Sequence, residues 1–377
     1  MNRWVPHIYR QTGQQKDVPD AIINEALSQA HRVQNKELPA ILTLRHLAFQ
    51  TDVSYTNLHK IISRDVDPYR SFSIKKRSGG WRRISVPQFE LLKVQKYIDH
   101  FVLSRIADSS YSYAFKSKTS IADCANQHLS CRWLVKIDLR HFFESLSEMQ
   151  AYRVFNEAGY NNLVSFELAR LCTKVLPLTA KKYSKPNWRS VGHISMYSFY
   201  EDKYNRIGHL PQGVPTSPRL SNLIVRGLDR EIVEATDEYD LTYTRYADDM
   251  TFSTGSSCFS KKKGRDFINK IYSLLPKYGL RPHPQKAQIV PPGARKIVLG
   301  LLVDGDKVRL TKHFRSNLEC HLYYCVKNPI SHATNRGFAS VLGLKNYVNG
   351  LLAYANQVDP DYVNKISSDV GKPDWPI

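Results

Sequence analysis

Tyr246-Ala247-Asp248-Asp249 lies between two runs of β type, Leu241–Arg245 before it and Met250–Ser253 after it. The pair of acids therefore reads as the turn of a hairpin. Adjacent carboxylates repel, and a divalent cation shared with a third acid relieves that repulsion. Asp138 offers the third acid: it ends the apolar run Leu134-Val-Lys-Ile137 and is followed by Phe142-Phe143. Donors that are all carboxylate oxygens, with neither His nor Cys, point to Mg²⁺, with Mn²⁺ as a substitute, and to phosphoryl transfer by a two-metal clamp. One cation of such a clamp activates the attacking hydroxyl and the other neutralises the leaving pyrophosphate. Taken alone, an Asp-Asp pair in a hairpin more often caps a turn than binds metal, so its surroundings decide the matter.

Between the two acidic strands stands Pro211-Gln-Gly-Val-Pro-Thr-Ser-Pro218, a rigid turn opening a helix. Its glycine and prolines suit a backbone lying flat against a base pair, with the helix N-terminus facing negative charge. Upstream, Lys75-Lys-Arg-Ser-Gly-Gly-Trp-Arg-Arg83 places Gly79-Gly80 between two cationic runs, which signals a hairpin. Cations across a short turn suit a triphosphate; on its own the segment is equally a plain basic hairpin.

Composition frames these motifs. The 377 residues carry a net charge of +20, a positive field that attracts polyanions and makes nucleic acid the leading partner. The hydrophobic share of 42% excludes wholesale disorder. No stretch approaches the run of apolar residues that spans a bilayer. The first residues lack the pattern of a secretory signal, so the chain reads as cytoplasmic, with no membrane partner. Six cysteines, at positions 124, 131, 172, 258, 320 and 325, form no disulfide framework. Cys124-x3-His128-x2-Cys131 and Cys320-His321-x3-Cys325 lack the paired spacing of a zinc finger, and buried or idle thiols are the commoner reading.

The periodicity divides the chain into four parts. Residues 1–70 are helical, with Leu44, Leu47, Leu58 and Ile61 at helical spacing around Gln50-Thr51-Asp52. This is the pattern of a helical layer packed on the next domain, or of a helix-turn-helix, although no Arg/Lys-rich recognition helix follows. Segments 71–130 and 131–310 mix β runs, such as Trp133–Asp138 and Leu241–Tyr246, with helical ones, such as Phe89–Ile106 and Ser217–Glu234. Within them the stretch 181–209 is aromatic and basic, a surface insertion fit for stacking bases or an ordinary solvated excursion. Residues 311–377 are helical, and Leu318, Leu322, Tyr323 and Val326 mark an apolar face opposite cations.

In this order, Asp138 with Phe142-Phe143, the Pro211–Pro218 turn and Tyr-Ala-Asp-Asp resemble the palm of reverse transcriptases, most closely the bacterial retron type. Lys75–Arg82 resembles the finger hairpin, Tyr113-Ala-Phe115 to Ile121 the finger segment that follows, and Gly279–Lys286 the segment after the catalytic hairpin. Ile297-Val-Leu-Gly-Leu301 resembles the primer grip. The resemblance implies an α+β, right-hand polymerase fold: an N-terminal helical region (1–70), fingers (71–130), a palm of antiparallel sheet and helices (131–310) and a helical thumb (311–377).

The resemblance also implies roles. Asp138, Asp248 and Asp249 would be the catalytic, metal-binding triad, and Phe143 the aromatic gate that selects deoxynucleotides. Lys76 and Arg82 would contact the triphosphate, Gln212 and Gly213 would line the nucleotide and template pocket, and Lys286 would serve the leaving group as general acid. Retron enzymes usually carry Asn-Ala-x-x-His and Val-Thr-Gly, where this chain has Cys124-Ala-Asn-Gln-His128 and Val298-Leu-Gly300. Ala125, His128, Val298 and Gly300 are thereby implied in RNA binding, with Lys312 and Arg315 as thumb contacts to phosphate.

The implied function is RNA-directed DNA polymerisation of retron type. A partner noncoding RNA serves as template and as primer through a 2′-hydroxyl, giving RNA-linked DNA from deoxynucleoside triphosphates. The enzyme would hold the RNA–DNA duplex and act in anti-phage defence with a separate effector protein. The residues after Leu301 suffice for a thumb but not for the further domains of a group II intron enzyme. A group II intron-like, diversity-generating or abortive-infection enzyme, or a non-catalytic RNA-binding scaffold, are the alternatives, and the intact acids argue against the scaffold.

Overall fold

The computed structural model describes residues 5–76, 79–175, 207–370 and 373–376. Apart from its last three residues, the expected insertion at 181–209 lies outside the described residues. The chain gathers into two compact units, one formed by residues 1–115, 139–232 and 270–283, the other by 116–138, 233–269 and 284–377. Both mix helices with antiparallel strands, or contain helices and one hairpin, so the class is α+β.

The first unit opens with α1 (Pro6–Gln15), α2 (Asp20–Gln34), α3 (Leu44–Thr51) and α4 (Tyr55–Ile62). Ile23, Leu27, Ala30 and Val33 of α2 recur three and four apart and are buried, as an amphipathic helix requires. The polar break Gln50-Thr51-Asp52 is a helix end: Asp52 takes a left-handed conformation after α3. Strands β1 (Tyr69–Lys75) and β2 (Trp81–Pro87) form the expected basic hairpin, in which Lys75 faces Trp81. Gly79 and Gly80 turn it at φ 86° and 80°, a region glycine enters without steric cost. Helix α5 (Phe89–Tyr97) continues through a π turn to Val102 and a 3₁₀ turn to Arg105. Helices α7 (Phe142–Ser145), α8 (Glu148–Ala158), α9 (Asn162–Cys172) and most of α10 (Ser217–Asp237) complete this unit; α6 (Ile121–Asn126) belongs to the other.

A buried ion network ties these helices together. Glu148, at the start of α8, accepts from Arg64 at 2.5 Å and from Arg170 at 2.9 Å. It also accepts from the Gly208 amide and the Thr173 hydroxyl, each at 3.1 Å. Arg64 in turn donates to the carbonyls of Arg170 and Thr173, and Arg170 to that of Ile62. Burial alone would raise the Glu148 carboxyl, but the two guanidiniums outweigh it and hold the group below the usual carboxylate range. Gly208 has no side chain because none fits: a Cβ there would lie 2.6 Å from Glu148 Oε2. Beside it, Lys174 and His209 pair through both backbone hydrogen bonds, at 2.9 and 3.0 Å.

The second unit is built on a four-stranded antiparallel sheet in the order β4 (Thr242–Tyr246), β5 (Asp249–Thr254), β3 (Trp133–Asp138), β6 (Gln288–Val290). On one face Phe252 stacks on Tyr243 at 4.9 Å and meets Phe267 of α11 (Lys261–Leu274) edge-on at 4.8 Å. A second sheet joins β7 (Ile297–Val298), β8 (Leu301–Leu302) and β9 (Arg309–Leu310). Leu299 and Gly300 make its first turn at φ 49° and 86°, the two positive angles of a tight hairpin. Helices α12 (Lys312–Lys327), α13 (Pro329–Asn335), α14 (Val341–Val358) and α15 (Pro360–Val370) follow. Leu134 of β3, Val298, Leu301, Leu318, Leu322 and Val348 share one buried core, so the small sheet and the last helices pack with the large sheet. All six cysteines are free, and no described helix is long and apolar enough to cross a membrane.

Glu148→Ala leaves two buried guanidiniums without their counter-ion, and such losses typically cost about 3–5 kcal/mol. Urea unfolding followed by circular dichroism should show a loss of that order; an unchanged midpoint would mean that the network adds nothing.

Candidate active site

Strand pairing brings the acids together. In the β3–β5 register Asp138 stands opposite Asp249, and in the β4–β5 register Tyr246 stands opposite Asp249. Ala247 and Asp248 thus form a two-residue turn. Ala247 adopts φ 55°, a left-handed conformation that costs a non-glycine residue about 1–2 kcal/mol. Because side chains alternate across a sheet, Lys136, Asp138, Thr244, Tyr246, Asp249, Thr251 and Ser253 share one face. The other face carries Val135, Ile137, Tyr243, Met250 and Phe252, all buried.

Two lysines meet the facing acids. Lys286 Nζ donates to Asp138 Oδ2 at 2.8 Å, and Lys136 Nζ lies 3.6 Å from Asp249 Oδ2. Burial is the main cause that holds the Asp248 and Asp249 carboxyls above the usual range, and the Asp138 charge adds to it. For Asp248 a backbone hydrogen bond and Lys286 work in the opposite direction, and for Asp249 both lysines do. Among the described residues no three His, Cys, Asp or Glu side chains converge to hold a metal ion. The acids nevertheless suit a hard divalent cation. Their donors are oxygens only, and Asp138 Oδ1 is buried with no hydrogen-bond partner.

The other expected residues fall in different places. Phe143, on α7, is half-buried and meets Phe115 with ring centroids 6.1 Å apart. Arg82 and Lys76 are exposed on the β1–β2 hairpin and just beyond β1. Gln212 and Gly213 lie against β2: the Gln212 carbonyl accepts from the Ser85 amide at 2.8 Å. Gly213, at φ 97°, leaves no room for a Cβ, which would lie 2.7 Å from Ile84 Cγ2. Gln212 Oε1 is buried with no hydrogen-bond partner.

The residues expected at the RNA divide. Gly300 and Lys312 are exposed. Ala125, His128 and Val298 are buried at 0–1% exposure, so their side chains serve the interior of the second unit rather than its surface. Arg315 donates to Asp359 at 3.0 Å and lies over the Tyr362 ring, engaged within its own helices. No sequence motif marks Lys136. Set within an apolar run, it shows its position beside the acids only through its register with Thr251, two residues after Asp249.

Residues 74–301 match the family described as reverse transcriptase (RNA-dependent DNA polymerase). Retron Ec86 reverse transcriptase of Escherichia coli is 28% identical over 348 residues, which cover 90% of this chain and 94% of that protein. Retron Mx162 reverse transcriptase of Myxococcus xanthus is 29% identical over 250 residues, covering 64% of this chain and 49% of the relative. Among solved structures, telomerase from Candida albicans in complex with a TWJ fragment of telomeric RNA aligns over 82% of this chain and 57% of that one. The identity is 13% and the TM-score 0.39.

A raised carboxyl pKa means that the fold disfavours the charged form, so charge at neutral pH lowers stability and protonation restores it. Asp248→Asn, studied with chelator present, is expected to raise Tm by a few degrees in scanning calorimetry; a lower Tm would show that the fold does not disfavour the charged acid.

Proposed function

The chain belongs to the reverse transcriptase (RNA-dependent DNA polymerase) family, and we propose that within it the protein is a retron-type enzyme. It copies a structured noncoding RNA that also primes synthesis through a 2′-hydroxyl, and so makes single-stranded DNA joined to RNA. The observation that carries polymerase chemistry is the facing of Asp138 and Asp249 beside the Asp248 turn. The likeness to retron enzymes over nearly the whole length of one of them supports the subtype.

On this reading Asp138, Asp248 and Asp249 hold Mg²⁺, with Mn²⁺ as a substitute. The bound cations supply Lewis acidity toward the attacking hydroxyl and the triphosphate. The chain's own groups do the rest. Lys286 leaves Asp138 and gives a proton to the departing pyrophosphate as the new phosphodiester bond forms. Phe143 packs under the deoxyribose and excludes a 2′-hydroxyl. Lys76 and Arg82 bind the triphosphate, and Gln212 and Gly213 line the nucleotide and template pocket. Lys312 and Gly300, both exposed, contact the nucleic-acid backbone, consistent with the charge of +20 and with the backbone-led recognition of an A-form duplex. The parts of the right hand follow the same assignment: N-terminal helical region 1–70, fingers 71–130, palm 131–310 and thumb 311–377. Deoxynucleoside triphosphates are the small substrates. Anti-phage defence in the cytoplasm, with a separate effector protein, completes the proposal.

The test is the nucleic acid that copurifies from the native host, compared between the wild type and Asp248→Asn after separate RNase and DNase digestion. DNA ending in a ribonucleotide stub is expected from the wild type and not from the variant. RNA alone from both proteins would contradict the retron assignment.

A further inference from the structure

His128 is buried at 1% exposure, with both ring nitrogens engaged. Nδ1 lies 2.7 Å from Ser253 Oγ, and Nε2 lies 2.7 Å from Thr244 Oγ1. Ser253 belongs to β5 and Thr244 to β4, so one imidazole joins the two arms of the hairpin that ends in Asp248 and Asp249. The two hydroxyls are diagonal neighbours on the face that carries the acids, since Thr244 pairs with Thr251 and Ser253 with Thr242.

Among the described residues strand β4 is at the edge of its sheet, with β5 as its one neighbour strand. Its placement therefore rests on one short ladder, and a side chain bonded to both strands adds a brace that backbone pairing lacks. The brace is itself fixed. Helix α6, which ends just before the histidine, is started by a capping box of Ser120 and Asp123. Beyond the histidine, the Ser130 amide donates to the Val303 and Gly305 carbonyls, and the Arg132 amide to that of Thr254. A ring anchored on both sides holds its partners more narrowly than a loop side chain would.

The chemistry suits a neutral imidazole, in which one nitrogen donates and the other accepts, matching two hydroxyls that can each do either. Burial, aided by the Lys136 charge, lowers the His128 pKa to about 4, so the ring is neutral at working pH. Cys124, where retron enzymes usually carry Asn, donates its thiol to the same Thr244 hydroxyl at 3.3 Å.

We propose that His128 is a positioning residue of the polymerase reaction, which fixes the spacing of the two strands whose hairpin carries Asp248 in its turn and Asp249 at the start of β5, by joining Thr244 to Ser253. It acts through the acids and not on substrate. The inference rests on the assignment of those acids to catalysis.

The experiment measures steady-state dTTP incorporation by the full chain on oligo(dT)-primed poly(rA), with primer–template affinity measured separately. His128→Phe keeps a ring but neither hydrogen bond. It should lower kcat by about tenfold to a hundredfold, the scale of a small misplacement of reacting groups. KM for dTTP and the primer–template Kd should stay unchanged. His128→Gln, which has both a donor and an acceptor, should recover part of the loss. The double variant Thr244→Val with Ser253→Ala should lower kcat like His128→Phe, and adding His128→Phe to it should bring no further loss. A kcat near wild type in the double variant overturns the proposal, as does weaker primer–template binding with kcat preserved. Should His128→Phe fail to fold, as near-ultraviolet circular dichroism would show, the double variant decides by the same criteria. Asp248→Asn is run in parallel. Activity retained there would overturn the assignment of the acids and the proposal with it, whereas its loss leaves His128 to be judged on its own variants.

Discussion

Asp138 faces Asp249 across two antiparallel strands, and the rest of the site depends on that pairing. Like charges directly opposite in a sheet destabilise it, so other forces must hold the register. The opposite face supplies them: Val135, Ile137, Met250 and Phe252 are buried there, and a slip of one residue would turn these side chains to the polar face. Lys286 and Lys136 neutralise part of the charge from the polar side. Stability lost to facing acids is the usual mark of a site that function requires.

The same two lysines sit differently toward their partners. Lys286 is half-exposed and reaches Asp138 from outside the strands, beside the short turn that precedes β6, so it is able to leave. Lys136 stands within β3 itself, more buried and farther from its acid. The proposed proton transfer falls to the lysine with the freer side chain. The fixed one contributes charge alone, a charge that adds to burial in lowering the His128 pKa.

Local pattern was legible wherever period and punctuation agreed. Strand β3 spans Trp133–Asp138 and helix α12 spans Lys312–Lys327, the bounds that alternation and helical spacing indicate. The Gly79-Gly80 turn and the helix from Ser217 also appear as their residues suggest. What could not be read was pairing over long separations. Nothing near Glu148 in the sequence points to Arg64, 84 residues away, nor anything near His128 to Ser253, 125 residues away. His128 and Ala125 stood out by family likeness as residues for RNA, yet their burial depends on strands that arrive more than a hundred residues later. Motif order brought out the acids. Only the register showed which of them face each other, and which lysines they meet.

If the pairing exists to take up a divalent cation, the acids should bind one without substrate. Mn²⁺ titration followed by electron paramagnetic resonance, on the wild type and on Asp138→Asn, measures this most directly. Saturable binding in the wild type that is lost in the variant is the predicted result, and equal binding by both proteins would contradict the account.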